Sequence, residues 1–243
     1  MTPAAVAQAI RAIAEAFVVE SADTPATIES CYRLRYEALR TDRHSAVEPN
    51  GLERDEFDER SKHFALICRQ SGGIVGTIRL VLASADQPGH SFPMQQYCAV
   101  PLPADMPILR TAEISRCVIS GPRRDYNATT LMRLGLLRGV VRVSRELGLT
   151  HWCAMMEPTL LRLLEMTSLH FNPLGPVVEY YGVRQPCCNS IAAVMERLYH
   201  DRPEIWDYLT EYGQYWPRKS APRSMAAGDE TMGRLLARIP TMA

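Results

Sequence analysis

Neither sign of charge is in excess in this sequence: Lys and Arg together number 27, and Asp and Glu together number 27. No global basic field is available to hold nucleic acid, so local charge has to carry any electrostatic argument. Metal-site spacing is missing as well. The seven cysteines (Cys31, Cys68, Cys98, Cys117, Cys153, Cys187 and Cys188) include no CxxC, and the six histidines form no HExxH or Cys/His cluster. This pattern argues against zinc, and no other metal is expected. An odd, scattered cysteine set predicts reduced thiols in a cytoplasmic protein rather than a disulfide framework. No uncharged run approaches the roughly 18 apolar residues of a membrane span. The leading stretch MTPAAVAQAIRAIAEAFVVE has no basic n-region and is interrupted by Arg11 and Glu15. It reads as an amphipathic helix within residues 1–22 rather than a signal peptide.

What is present is ordinary globular composition, 47% apolar and 22% charged over 243 residues. That suffices for one full core with tails. After the leading helix, ADTPATIESCYRLRYEALRTD has apolar residues every three to four positions and predicts a second helix. HFALICRQ and IVGTIRLVLAS, separated by SGG, predict a hairpin over 63–84. Residues 85–109 read as a loop with one short helix near Met94–Tyr97, and LRTAEISRCVIS as a strand. A long helix follows, closed by Gly148. THWCAMME then reads as a strand, PTLLRLLEMTSLH as a helix and FNPLGPVVEYYGVRQ as an extended segment. IAAVMERLYHDRPEIWDYLTEYG is helical and broken at Pro203. The expected organisation is a leading helix (1–22), one domain (23–216) and a linker-like tail (217–243) with a short helix at TMGRLLARI. The order of elements predicts an α/β (α+β) fold, a mixed sheet with helices on both faces.

Four polar clusters interrupt this apolar pattern: Arg33 and Arg35 in CYRLRYEALR, Asp55 and Asp58 in ERDEFDER, Arg79 in GTIRLVL, and Glu113, Ser115 and Arg116 in AEISRCVI. A mid-strand Arg facing a core is costly unless it is paired. By alternation Arg79 shares a face with Thr77 and Val81, and Glu113 shares one with Ser115. Arg116 falls on the other face unless a bulge re-aims it. Carboxylates and guanidiniums from four segments could neutralise one another and still bind a zwitterion such as an amino acid. They could equally be surface salt bridges.

In order along the chain, LRYEAL, GLERDEFDERSKHF, GTIRLV and EISRCVIS resemble the signature of the autoinducer (acyl-homoserine-lactone) synthases. With LGLTHWCAMMEPTLLRLLE and GPVVEYYGVRQP, the chain more closely resembles the exosortase-associated acyltransferases, or N-acyl amino acid synthases. Both belong to the GNAT superfamily. The resemblance covers roughly residues 28–210 and implies a mostly antiparallel sheet whose central strands splay. It implies an N-acyltransferase that moves a medium or long acyl chain from acyl-carrier protein, or coenzyme A, to the amine of an amino acid. Glu113 would be the general base, with Ser115 beside it as a catalytic position. Arg35, Asp55, Asp58, Arg79 and Arg116 would surround the acceptor. Asp55 and Asp58 would turn inward to meet Arg35, Arg79 and the acceptor's ammonium. Glu53, Arg54, Glu56, Glu59, Arg60 and Lys62 would then be the solvated remainder of GLERDEFDERSKHF. No permanently bound cofactor is implied.

Two departures refine the expectation. Autoinducer synthases carry a Phe and a Trp after the first Arg, at the S-adenosylmethionine site. Here Leu39 stands near the Phe position and ALRTDRHSAVEPNG has no aromatic residue. Homoserine-lactone synthesis is therefore the runner-up. RRDYNATT also replaces the glycine-rich GNAT pyrophosphate loop, which favours a carrier-protein donor met by Arg123 and Arg124. A non-catalytic GNAT-like module that binds acyl-carrier protein or another protein partner is the alternative from another class. Trp152, Met155 and Met156, with the Leu-rich helices, are candidates for an acyl tunnel or for plain core. Cys117 and Cys153 read as inert buried thiols. Peripheral membrane contact through the leading helix or the tail is compatible with this composition.

Overall fold

The computed structural model describes residues 2–41, 50–120 and 126–217. Arg123, Arg124, segment 42–49 and the tail from 218 lie outside the described residues. An eight-stranded sheet has the order β1-β2-β3-β4-β5-β8-β6, with β7 paired to β8. Its strands are β1 (Phe17–Ser21), β2 (Ser61–Cys68), β3 (Ile74–Leu82), β4 (Thr111–Ile119), β5 (His151–Met156), β6 (Asn172–Pro173), β7 (Val178–Glu179) and β8 (Val183–Ser190). Every pairing is antiparallel except β4 with β5. The helices are α1 (Pro3–Ala16), α2 (Pro25–Thr41), α3 (Pro93–Cys98), α4 (Tyr126–Glu146), α5 (Pro158–Met166), α6 (Ile191–Asp201) and α7 (Pro203–Thr210).

The leading helix is shorter than its sequence suggests. It stops at Ala16, and the β-branched run that follows becomes β1, antiparallel to β2 from Phe17↔Cys68 to Ser21↔Phe64. Ala supports a helix, whereas FVVES fits a pleated, half-buried edge. Nor does α1 stand apart from the domain, because Val6 and Ile10 are buried in the main core.

Alternation along the strands builds two different faces. Phe64, Leu66, Ile78, Leu80, Ala112, Ile114, Trp152 and Ala154 join α1, α4, α6 and α7 in one large apolar cluster. The other face carries His63 and Ala65 of β2, Thr77, Arg79 and Val81 of β3, and Glu113 of β4. It is covered by α2, α3 and the connecting segments, with Phe57, Phe92 and Met94 fully buried. The polar clusters of the sequence belong to this second face.

Helix α4 lies tightly against the sheet. A Cβ at Gly139 would come within 2.8 Å of Phe64 Cδ1 and 3.0 Å of Val19 Cγ2. We expect Gly139→Ala to lose about 1–3 kcal/mol in denaturant unfolding, against its gain in helix propensity. The same helix ends in a Schellman turn, with Gly148 at φ +65° and Leu149 N–H donating to the Ser144 carbonyl at 2.9 Å.

Candidate active site

The stretch from Gly51 approaches the sheet extended and then turns tightly. Phe57, fully buried, anchors the turn. Asp55 Oδ1 accepts the Phe57 N–H at 3.0 Å, the Asp58 N–H donates to the Asp55 carbonyl at 3.1 Å, and Asp58 Oδ2 accepts the Asp55 N–H at 2.8 Å. A 3-10 turn continues over Asp58–Arg60. This compact geometry lets two carboxylates three residues apart point the same way.

Three arginines meet them there. Arg35, from α2, forks onto Asp58 (Nη1–Oδ1 2.8 Å, Nη2–Oδ2 3.1 Å) and donates its Nε to Glu53. Arg79, from β3 and fully buried, forks onto Asp55 at 2.5 and 3.1 Å, reaches Asp58 at 2.8 Å and donates its Nε to Ser115 Oγ at 3.0 Å. Arg116 donates to Glu53 at 2.8 Å and to Asp55 at 3.1 Å. Three cations thus face three carboxylates, and the cluster is neutral. Burial alone would raise the Asp58 carboxyl, but hydrogen bonds and charge from Arg35 and Arg79 hold it well below the usual range.

Arg116 reaches this face because β4 bulges. Arg79 pairs with Ser115 and Thr77 with Val118, so Arg116 and Cys117 together oppose the single Ile78. Arg116 sits at φ +52°, a left-handed conformation that a non-glycine residue adopts at a cost. The bulge brings its side chain into the cluster with those of Glu113 and Ser115. Arg33 points away, pairing with Glu29 on the exposed side of α2 at 2.9 Å.

The division of GLERDEFDERSKHF into inward and solvated residues needs correction. Arg54, Glu59 and Lys62 are exposed. Glu53, expected in solvent, bridges Arg35 and Arg116 with its side chain only 13% exposed. Arg60 is half-buried over the Phe57 ring and donates to the carbonyls of Leu82 (3.1 Å) and Ser91 (2.5 Å). Glu56 is exposed but accepts from Gln96 and Tyr97, both at 2.7 Å. Spacing held a signal for Glu53, because in an extended stretch it shares a face with Asp55. Arg60 had none, since its partners are backbone carbonyls distant in sequence. Asp58 also differs from the expectation that it meets an acceptor. Its oxygens take Arg35 twice, Arg79 once and the Asp55 N–H, and it is buried, so no face of it remains for an ammonium.

Glu113 lies two residues before Ser115 on the same face and is 1% exposed. Burial pushes its carboxyl up to about 7. The Met94 N–H at 3.0 Å and the charges of Arg79 and Arg116 pull the other way. A carboxyl poised there exchanges protons near neutrality.

Beside it the sheet opens. The parallel ladder of β4 and β5 runs from Thr111↔His151 to Ile114↔Ala154 and ends, although β4 continues to Ile119 and β5 to Met156. A cavity of about 660 Å³ occupies the gap. Its polar lining includes Glu113, Ser115, Arg116 and Tyr180, and its apolar lining includes Leu137, Val141, Trp152, Met155, Met156, Leu160, Leu164 and Phe171. It joins the network face to the main core. The thiols nearby are not activated: burial pushes Cys117 up to about 11 and Cys153 well above its ordinary value. No group of His, Cys, Asp or Glu among the described residues is arranged to hold a metal ion.

Residues 34–134 match the family model for the acetyltransferase (GNAT) domain. The chain is an acyltransferase of the GNAT fold. Solved structures of similar architecture include TofI, in a ternary complex with an inhibitor and MTA (TM-score 0.57, 19% identity, 78% of this chain and 99% of that one). Another is the CoA-dependent acyl-homoserine lactone synthase BjaI with MTA (TM-score 0.56, 21% identity, 81% and 88%). A third is FeeM, an N-acyl amino acid synthase from uncultured soil microbes (TM-score 0.52, 15% identity, 74% and 94%). At these identities the likeness is one of fold. No curated protein matches this GNAT acyltransferase in sequence. No helix among its described residues is long and apolar enough to cross a membrane.

Proposed function

We propose that this GNAT acyltransferase transfers a medium or long fatty acyl chain from a carrier-protein or coenzyme A thioester to the amine of an amino acid. One observation carries the reading: a buried carboxyl held near 7 lies in the wall of a cavity whose remainder is largely apolar. Amino-acid ammonium is mostly protonated at neutral pH, so transfer needs a base. Glu113 takes that proton, directly or through water. The freed amine attacks the thioester carbonyl, the C–N bond forms, the C–S bond breaks, and the departing thiolate receives a proton. The acyl chain lies along Leu137, Trp152, Leu160 and Phe171. Arg35, Asp58, Asp55 and Arg79 are positioning residues that hold the bulged strand, Ser115 and Arg116 in place. Arg123 and Arg124 would meet the donor's phosphate or acidic residues of its carrier.

Expression in a bacterial host, followed by lipid extraction and mass spectrometry, tests this. N-acyl amino acids are expected. Acyl-homoserine lactones instead would replace the acceptor, and no new acylated amine from folded protein would remove the enzymatic reading. The acyl assignment has its own check. Leu160→Trp should shift the products to shorter chains, as read from the chain-length distribution, because the indole occupies cavity volume.

A further inference from the structure

Tyr180 lies between β7 and β8 and is held on two sides. Its ring stacks on Tyr97 (centroids 5.7 Å, 16° between planes) and meets Tyr181 edge-on at 4.7 Å. Tyr97 is itself tied down, donating its hydroxyl to Glu56 at 2.7 Å. The Tyr180 hydroxyl is buried, lines the cavity and, apart from its approach to Arg116, makes no well-aligned hydrogen bond among the described residues. A buried hydroxyl left unpaired is destabilising, and in a cavity wall it marks a place for a ligand atom.

Arg116 is its neighbour. Burial pushes the Tyr180 hydroxyl up to about 12, while the charge of Arg116 and its hydrogen-bonding approach pull against that rise. Arg116 places Nε on Glu53 and Nη2 on Asp55, and its Nη1 engages neither carboxylate. The bulged φ of +52° turns it towards this spot, beside the Tyr181 ring at 6.0 Å. A guanidinium edge and a phenol hydroxyl that together line the polar part of a cavity suit an anion with two oxygens. They suit a neutral thioester carbonyl less well.

We propose that Tyr180 and Arg116 bind the carboxylate of the acceptor, so that this acyltransferase selects amino acids over simple amines. The inference rests on the acyl-transfer reading above and adds to it the group that is recognised. Calorimetric binding of N-lauroylglycine and of its carboxamide, with wild type and Tyr180→Phe, separates the two. Phenylalanine keeps the ring stacked and removes only the hydroxyl, and a thermal melt checks the fold. Wild type is expected to bind the acid roughly 10- to 100-fold more tightly than the amide, and Tyr180→Phe to lose most of that preference, its acid affinity falling much further than its amide affinity. A variant that keeps the full preference, or weakens for acid and amide alike, overturns the proposal. Incubating wild type with lauroyl-carrier protein, lauroyl-coenzyme A and the twenty amino acids tests the parent reading separately. Acid-selective binding without product would overturn acyl transfer and leave the carboxylate site standing.

Discussion

Glu113→Gln is expected to lower kcat/KM for acyl transfer by roughly 10²–10⁴-fold, the usual contribution of a positioned base. Glutamine keeps the shape of the side chain, and its amide oxygen can still accept the Met94 N–H, so the loss reports proton transfer rather than packing. The wild-type pH profile carries the second half of the prediction. A base with its carboxyl near 7 is protonated and idle below that pH and active above it, so kcat/KM should rise through about pH 7 and level off. The variant's residual activity should lack that inflection. Stability should move in the opposite sense. Folded Glu113 titrates near 7 against a reference of 4.5, so between those values the native state binds more protons than the unfolded one. Raising the pH across that window therefore removes on the order of 3 kcal/mol from the wild type. Relative to wild type, Glu113→Gln should gain stability between pH 4 and pH 8 in urea unfolding. A variant that retains full activity would remove Glu113 as the base and leave the cavity assignment intact.

Arg79→Met should destabilise the fold by about 3–5 kcal/mol in denaturant unfolding. Arg79 is fully buried and contacts Asp55, Asp58 and Ser115 at once. Its removal leaves two carboxylates without one of their cations in a site that water scarcely reaches. An exposed ion pair would cost about 0–1 kcal/mol, so the measurement separates the two cases. Acid should act through the same cluster. Asp58 is held below its reference of 3.8, so its contribution is present above that pH and is lost as the pH falls towards the folded value. Arg79→Met should flatten this acid-side loss, because a less depressed Asp58 has less to lose.

Both predictions concern residues that the sequence singled out, and much of the fold was legible in the same way. Local chemistry decided the hairpin of β2 and β3, the long α4 with Gly148 at its end, and the break at Pro203. Each depends on periodicity, turn residues or caps within a few positions. The convergence of Asp55 and Asp58 follows from a tight turn anchored by Phe57; the family resemblance implied it, and a spacing of three allowed it only if the run turned. Arg79 was conspicuous as a charge within an apolar strand, although alternation alone could not say which way it faced.

Long-range pairing decided the rest. Phe17–Ser21 is a strand because the edge of β2 receives it, where the sequence suggested continued helix. Glu53 is part of the buried cluster, rather than surface, because the β4 bulge brings Arg116 within its reach. Arg60 is held by carbonyls more than twenty residues away. The opening between β4 and β5 exists because two strands stop pairing at Ile114 and Ala154, and Leu or Met residues look the same in sequence whether they fill a core or line a cavity. Side-chain type and local spacing thus determined which groups could do chemistry. Only the tertiary structure decided which of them are buried together, because burial and register depend on segments that the chain brings together from far apart.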